Sequence, residues 1–111
     1  MPRDFRLYLE DVIEAMAKIR RYTAGLSFHQ FAEDEKAVDA VVRNLEVIGE
    51  AVKKIPEDMR QKHAGIDWRK IAGLRDILIH EYFGIDIEIN WDIVQNKLPS
   101  LEGSIRSMLT G

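Results

Sequence analysis

The pattern that most constrains this chain lies between Glu33 and Lys54. Val38, Val41, Leu45, Ile48, Val52 and Ile55 recur at spacings of 3-4-3-4-3. That spacing puts all six on one stripe of an α-helix but scatters them over both faces of a strand, so Glu33–Lys54 is read as a helix. A second row of mostly small residues, Ala37, Ala40, Asn44, Val47 and Ala51, runs beside the first. Arg43, Glu46, Glu50 and Lys53 complete the circumference as a polar face. A helix with two apolar rows must be covered on two sides, so it is central and other helices pack around it. Its small-residue side admits close approach by a neighbouring helix or a second subunit.

The remaining segments fit that plan. Phe5, Leu9, Val12, Met16 and Ile19 form one apolar stripe, giving a first helix over Asp4–Tyr22 with Gly25 as its stop. Ser27 is a candidate N-cap for a short turn, Phe28–Ala32, whose Phe28 and Phe31 pin it to the core. Pro56 opens a short helix to His63, since proline suits a first turn. Asp67 caps a helix that begins at Trp68 and is expected to run to Gly84. Asp86 or Asn90 opens the next helix, Pro99 interrupts it, and Leu101, Ile105, Met108 and Leu109 support a last one. No segment reads as a convincing strand. The expected fold is all-α: one domain over residues 1–111, an antiparallel bundle of about five helices with short connections.

Composition narrows the function classes. The chain has no cysteine, which removes disulfides and thiolate metal sites. No apolar run approaches the roughly 20 residues a membrane span needs, and Met1-Pro2-Arg3-Asp4-Phe5 has no signal-peptide pattern, so a cytoplasmic location without a membrane partner is expected. The net charge of −3 argues against non-specific nucleic-acid binding through the overall field, leaving a local basic patch as the route to any RNA contact.

The chemistry concentrates in Arg75-Asp76-Ile77-Leu78-Ile79-His80-Glu81-Tyr82. On a regular helix Trp68, Ile71, Leu78 and Tyr82 all lie within about 60° of Arg75, so a guanidinium sits in the middle of an apolar stripe. It must find a partner or line a cleft, because an unpaired buried charge costs several kcal/mol. Asp76 and His80 are four residues apart and share a neighbouring face. These residue types suit cleavage of RNA without a metal. A base takes the proton of the ribose 2′-OH, an acid protonates the leaving 5′-oxygen, and a cation stabilises the charge that builds on phosphorus. His80 titrates in the right range and Arg75 offers a planar fork of donors to a phosphate. Asp76 is placed to orient the imidazole or hold Arg75. On a regular helix, however, Arg75 and His80 point about 140° apart, which favours a groove shared by two copies across a two-fold axis.

Arg75-x-x-x-x-His80-x-Tyr82 resembles the R-x4-H-x-Y signature of the HEPN superfamily, specifically its HepT-like toxins. Tyr8-Leu9-Glu10-Asp11-Val12, Arg43–Ala51, Trp68–Asp76 and Trp91-Asp92-Ile93-Val94 followed by Leu98-Pro99 are similar to that family's segments, in the same order. The resemblance implies an α-helical homodimer with its motifs facing each other in a cleft. It implies a metal-independent endoribonuclease that serves as the toxin of a type II/VII-like toxin–antitoxin pair, with no cofactor. It implies as partner a minimal nucleotidyltransferase antitoxin that transfers AMP to the motif tyrosine, here Tyr82. Arg75, Asp76 and His80 take the catalytic positions.

Plainer readings stand beside these. Arg75 is otherwise a structural arginine paired with Asp76, Glu46 or Glu50; His80 a histidine favoured at a helix end by the dipole; and Tyr82 a core residue. Asn44 is either a buried amide bonded to a neighbouring helix or, with Arg43, part of the cleft lining. Arg43, Glu50 and Lys53 otherwise form a solvated face or dimer rim, and His29 and His63 are surface residues. The spacing of His80, Glu81 and Asp86 matches no standard metal-ligand pattern, so no metal is expected. The competing function is a non-catalytic helical subunit that binds a nucleotidyltransferase or a nucleotide.

Overall fold

The computed structural model describes residues 4–74, 79–80 and 84–110, residues 79–80 and 84–85 through their backbone. The fold is an all-α bundle built around the central helix expected above. α1 spans Phe5–Thr23, α2 Phe28–Glu33, α3 Glu35–Val52, α4 Glu57–Gln61 and α5 Trp68–Ala72. α6 spans Ile87–Asp92, a π-helical turn covers Ile93–Lys97, and α7 runs over Leu98–Thr110. All six residues of the 3-4-3-4-3 stripe are buried, with Val41, Leu45 and Ile48 fully so. They meet Leu9, Val12, Met16 and Ile19 of α1 and Ile105 of α7 in one core. The second row is less uniform: Ala37, Asn44 and Ala51 are buried, whereas Val47 is 38% exposed.

Local chemistry explains most boundaries. The Asp4 side chain accepts from the Arg6 N–H at 2.9 Å and caps α1. Gly25 has φ 76°, a conformation open to glycine at little cost, and ends that helix. Ser27 and Gln30 form a reciprocal capping box at 3.1 and 2.9 Å. Asp34 closes α2 through its backbone and opens α3 by accepting from the Ala37 N–H at 3.0 Å. One residue serving both ends explains why α3 starts at Glu35 rather than at the expected Glu33.

Three expectations need correction. Phe31 is fully buried and lies 5.1 Å from the Trp91 ring, but Phe28 is 40% exposed and sits edge-on to Trp91 at 6.1 Å, so one phenylalanine rather than two pins α2. The helix expected over Trp68–Gly84 is not continuous. The Gly73 N–H closes α5 by bonding back to the Arg69 and Ile71 carbonyls, and Leu74 is again helical. The chain then forms a short antiparallel pair, β1 (Ile79–His80) with β2 (Gly84–Ile85), in the register Ile79 opposite Ile85 and His80 opposite Gly84. β-branched Ile79 and Ile85 suit extended backbone better than helix. Gly84 therefore belongs to a strand and does not end a helix. Finally, Pro99 does not interrupt the C-terminal helix. The π-turn carries the chain into α7, with the Leu98 N–H bonding to the Ile93 carbonyl, and Pro99 falls in the first turn of α7, where its missing donor is tolerated.

A clip ties α7 to α1. Glu102 receives Arg20 at 2.6 Å and Arg106 at 2.9 Å. Burial pushes the Glu102 carboxyl upward, but the two guanidinium groups outweigh it and hold the group below the usual carboxylate range. Among the described residues no helix is long and apolar enough to cross a membrane. The contrast at α2 is directly testable. Phe31→Ala should cost about 3–5 kcal/mol. Phe28→Ala should cost under about 1 kcal/mol, in line with ordinary surface substitutions. Urea unfolding followed by circular dichroism reads both.

Candidate functional site

Arg75, Asp76 and Tyr82 lie outside the described residues, and His80 is placed by its backbone pairing with Gly84. That pairing removes one premise. His80 is in an extended pair, so neither the 140° separation from Arg75 nor the shared helical face with Asp76 applies. What the structure does define is the frame that holds the two ends of this stretch.

At the leading end, the Asp67 side chain accepts from the Lys70 N–H at 3.1 Å and opens α5. Trp68 is buried, and its indole N–H donates to the Arg60 carbonyl at 3.0 Å and the His63 carbonyl at 3.2 Å. These bonds lock α5 to α4 and to the turn that follows it. On its other side α5 lies against α3 at Gly49. A Cβ added to Gly49 would stand 3.1 Å from the Ile71 carbonyl oxygen, 3.6 Å from that of Ala72 and 3.8 Å from Leu74 Cβ. Leu74, directly before Arg75, is buried. At the trailing end, Asp86 caps α6 by accepting from the Ile89 N–H at 3.0 Å, and the fully buried Asn90 donates to the Asp86 carbonyl at 2.6 Å. The motif stretch is thus held between two aspartate-capped helices.

The two residues proposed to line a cleft part company. Arg43 is exposed and borders an open groove of about 440 Å³ between α1 and α3, with Tyr8, Asp11, Glu46, Val47 and Glu50. Asn44 is buried, does not border that groove, and donates to the Ala40 carbonyl of its own helix at 2.8 Å, not to a neighbouring helix. A second groove, about 610 Å³, runs between α5 and the π-turn; Ile66, Ile71 and Ile93 give it an apolar floor and Lys70, Asn96 and Lys97 a polar rim. Among the described residues no three His, Asp or Glu side chains are placed to hold a metal ion. Sequence reasoning alone does not single out Gly49 and Trp68 as functional. A glycine amid a strong helical stripe is the available signal for the first, since glycine in a helix interior is otherwise unfavourable.

Residues 12–108 match the family model described as "Ribonuclease HepT-like". The chain belongs to this HepT-like family, and the resemblance carried by the motif and its flanking segments holds along the sequence. It is 44% identical over 108 residues to a "Probable ribonuclease HepT" of Thermococcus cleftensis, covering 97% of this chain and 98% of that one. It is 50% identical over 101 residues to a "Putative RNase" of Methanocaldococcus jannaschii, covering 90% and 84% of the two chains. A "Putative RNase" of Caldanaerobacter subterraneus subsp. tengcongensis is 41% identical over 104 residues, covering 94% and 93%. No solved structure matches the chain.

The anchoring of α5 gives a prediction. Trp68→Phe keeps the ring's bulk but deprives the Arg60 and His63 carbonyls of their shared donor. A loss of about 1–2 kcal/mol in unfolding free energy is expected, measured by thermal and urea denaturation.

Proposed function

We propose that this chain is a metal-independent endoribonuclease, the toxin of a toxin–antitoxin pair. The observation that carries the reading is that Arg75-x-x-x-x-His80-x-Tyr82 stands unaltered within a family match spanning residues 12–108. The names of the relatives point to the same activity.

In this reading Arg75 holds the scissile phosphate through paired N–H donors, and Asp76 orients the cationic or imidazole group beside it. His80 relieves the ribose 2′-OH of its proton, and the 2′-oxygen attacks phosphorus. The bond from phosphorus to the 5′-oxygen breaks, the departing oxygen takes a proton, and the products are a 2′,3′-cyclic phosphate and a 5′-hydroxyl end. Two protons move in this reaction, and each chain offers one motif imidazole. A cleft built from two copies supplies both, so the homodimer is part of the proposal. Arg43, on the exposed side of α3, is a candidate for contact with RNA at the rim; Asn44, buried and bonded within its own helix, is better suited to supporting that helix.

The activity is tested by incubating RNA with the protein in EDTA. Wild type should cleave and leave cyclic-phosphate ends, while Arg75→Ala and His80→Ala should each lose at least about 100-fold in rate. Equal activity in all three would sink the assignment.

The proposed partner is a minimal nucleotidyltransferase antitoxin. It would transfer AMP from ATP to the Tyr82 oxygen, with pyrophosphate leaving and the phenolic proton released. The adduct would place bulk and negative charge two residues from His80 and repel RNA phosphates. Co-expression with such an enzyme should add the mass of AMP to the peptide carrying Tyr82 and suppress cleavage; an unmodified peptide in an inactivated toxin would count against this regulation.

A further inference from the structure

Gly49 is an odd residue for its place. It sits in the interior of α3, buried, with no positive φ to require it. Alanine is ordinarily the better helix former. Gly103 in α7 shows the contrast: nothing lies within 4 Å of where its Cβ would be. At Gly49 the missing Cβ lets α3 press onto the last turn of α5.

The groups it presses on are specific. The nearest is the Ile71 carbonyl oxygen, 3.1 Å from where a methyl carbon would stand, followed by the Ala72 carbonyl oxygen and Leu74 Cβ. Ile71 is also one of the two carbonyls that receive the Gly73 N–H where α5 ends. It cannot swing aside without disturbing that cap. Behind α5, Trp68 is tied to the Arg60 and His63 carbonyls. A methyl group at residue 49 would therefore displace the end of α5 by a few tenths of an ångström, because the obstacle is backbone. Arg75 follows Leu74 immediately.

We propose that Gly49 is a positioning residue: its lack of a side chain sets where α5 ends, and so where Arg75 is presented to the scissile phosphate. The proposal rests on the ribonuclease reading for its consequence in rate, whereas the displacement itself is independent of that reading. A misplacement approaching 1 Å at a distance from the chemistry costs on the order of 100-fold in rate, so a shift of tenths should cost about tenfold.

The test compares wild type, Gly49→Ala, Gly103→Ala and Leu74→Ala as purified full-length chains. Gly49→Ala is expected to keep its far-UV circular dichroism, to lose about tenfold in kcat for RNA cleavage, and to hold KM within about twofold. Gly103→Ala should match wild type. Leu74→Ala thins the same contact without pushing α5, so it should melt at a lower temperature yet keep kcat within about threefold. In a Trp91→Phe background, Trp68 emission reports the displacement of α5 directly and should shift in Gly49→Ala alone of the glycine variants. A folded Gly49→Ala with wild-type kcat, or with unchanged Trp68 emission, overturns the proposal. So does a Gly49→Ala chain that fails to fold, which would make the contact a packing requirement, and so does an equal fall in kcat in Leu74→Ala, which would mark general loosening. If wild type does not cleave RNA at all, the ribonuclease reading fails and the emission shift alone decides whether Gly49 sets the position of α5.

Discussion

The packing of α3 against α1 is the constraint on which the rest of the bundle depends. Val41, Leu45 and Ile48 from one helix and Leu9, Val12 and Ile19 from the other are all fully excluded from water. Burial of side chains of this size stabilises by roughly 1.5–3 kcal/mol each before the cost of ordering them. Among the described residues no other pair of elements shares so extensive a contact, and the remaining helices take their places from it. α7 packs on α1 and is clipped there through Glu102. α5 is laid across the far part of α3, which is how a five-residue helix with little stability of its own acquires a defined position.

Where the sequence was legible, one physical signal dominated its surroundings. The two long periodic stripes, the capping residues Ser27 and Asp67, Asp86 as one of two candidate openers, and the glycine stop at Gly25 could all be read because each acts within one or two helical turns. The break between α5 and the paired strands was not legible in the same way. Trp68, Ile71, Leu74 and Leu78 continue a helical period through this stretch, and periodicity does not reveal that α5 closes at Gly73 or that Ile79 and His80 are extended. Phe28 departs from expectation for a similar reason: hydrophobicity marks a residue as suited to the core but does not guarantee room there once Phe31 has filled the site against Trp91. Gly49 is the opposite case, a residue whose meaning depends on what faces it in space.

The site shows the same division. The identities of Arg75, Asp76, His80 and Tyr82 and their spacing were visible in the sequence, and the family match extends across them. Their frame became visible in the structure: two aspartate caps, a tryptophan tied to two carbonyls, and a glycine contact. The pairing of His80 with Gly84 also changes the reason for invoking two copies of the chain. A helical geometry that kept Arg75 and His80 apart no longer supports it; the need to move two protons with one motif imidazole per chain does.

The π-turn at Ile93–Lys97 sets the phase of everything that follows. Its bond from the Leu98 N–H to the Ile93 carbonyl spans one residue more than an α-helical bond, so α7 is rotated by about 100° relative to an uninterrupted α-helical continuation of α6. That rotation brings Leu98, Leu101, Ile105 and Met108 onto the core while Trp91, upstream of the turn, meets Phe31. A single-residue deletion within the turn would yield a more regular helix and a worse protein: α6 would keep its seat with Trp91 against Phe31 while α7 turned its apolar stripe away from the core. In this segment irregular backbone is what lets two differently oriented surfaces share one continuous rod.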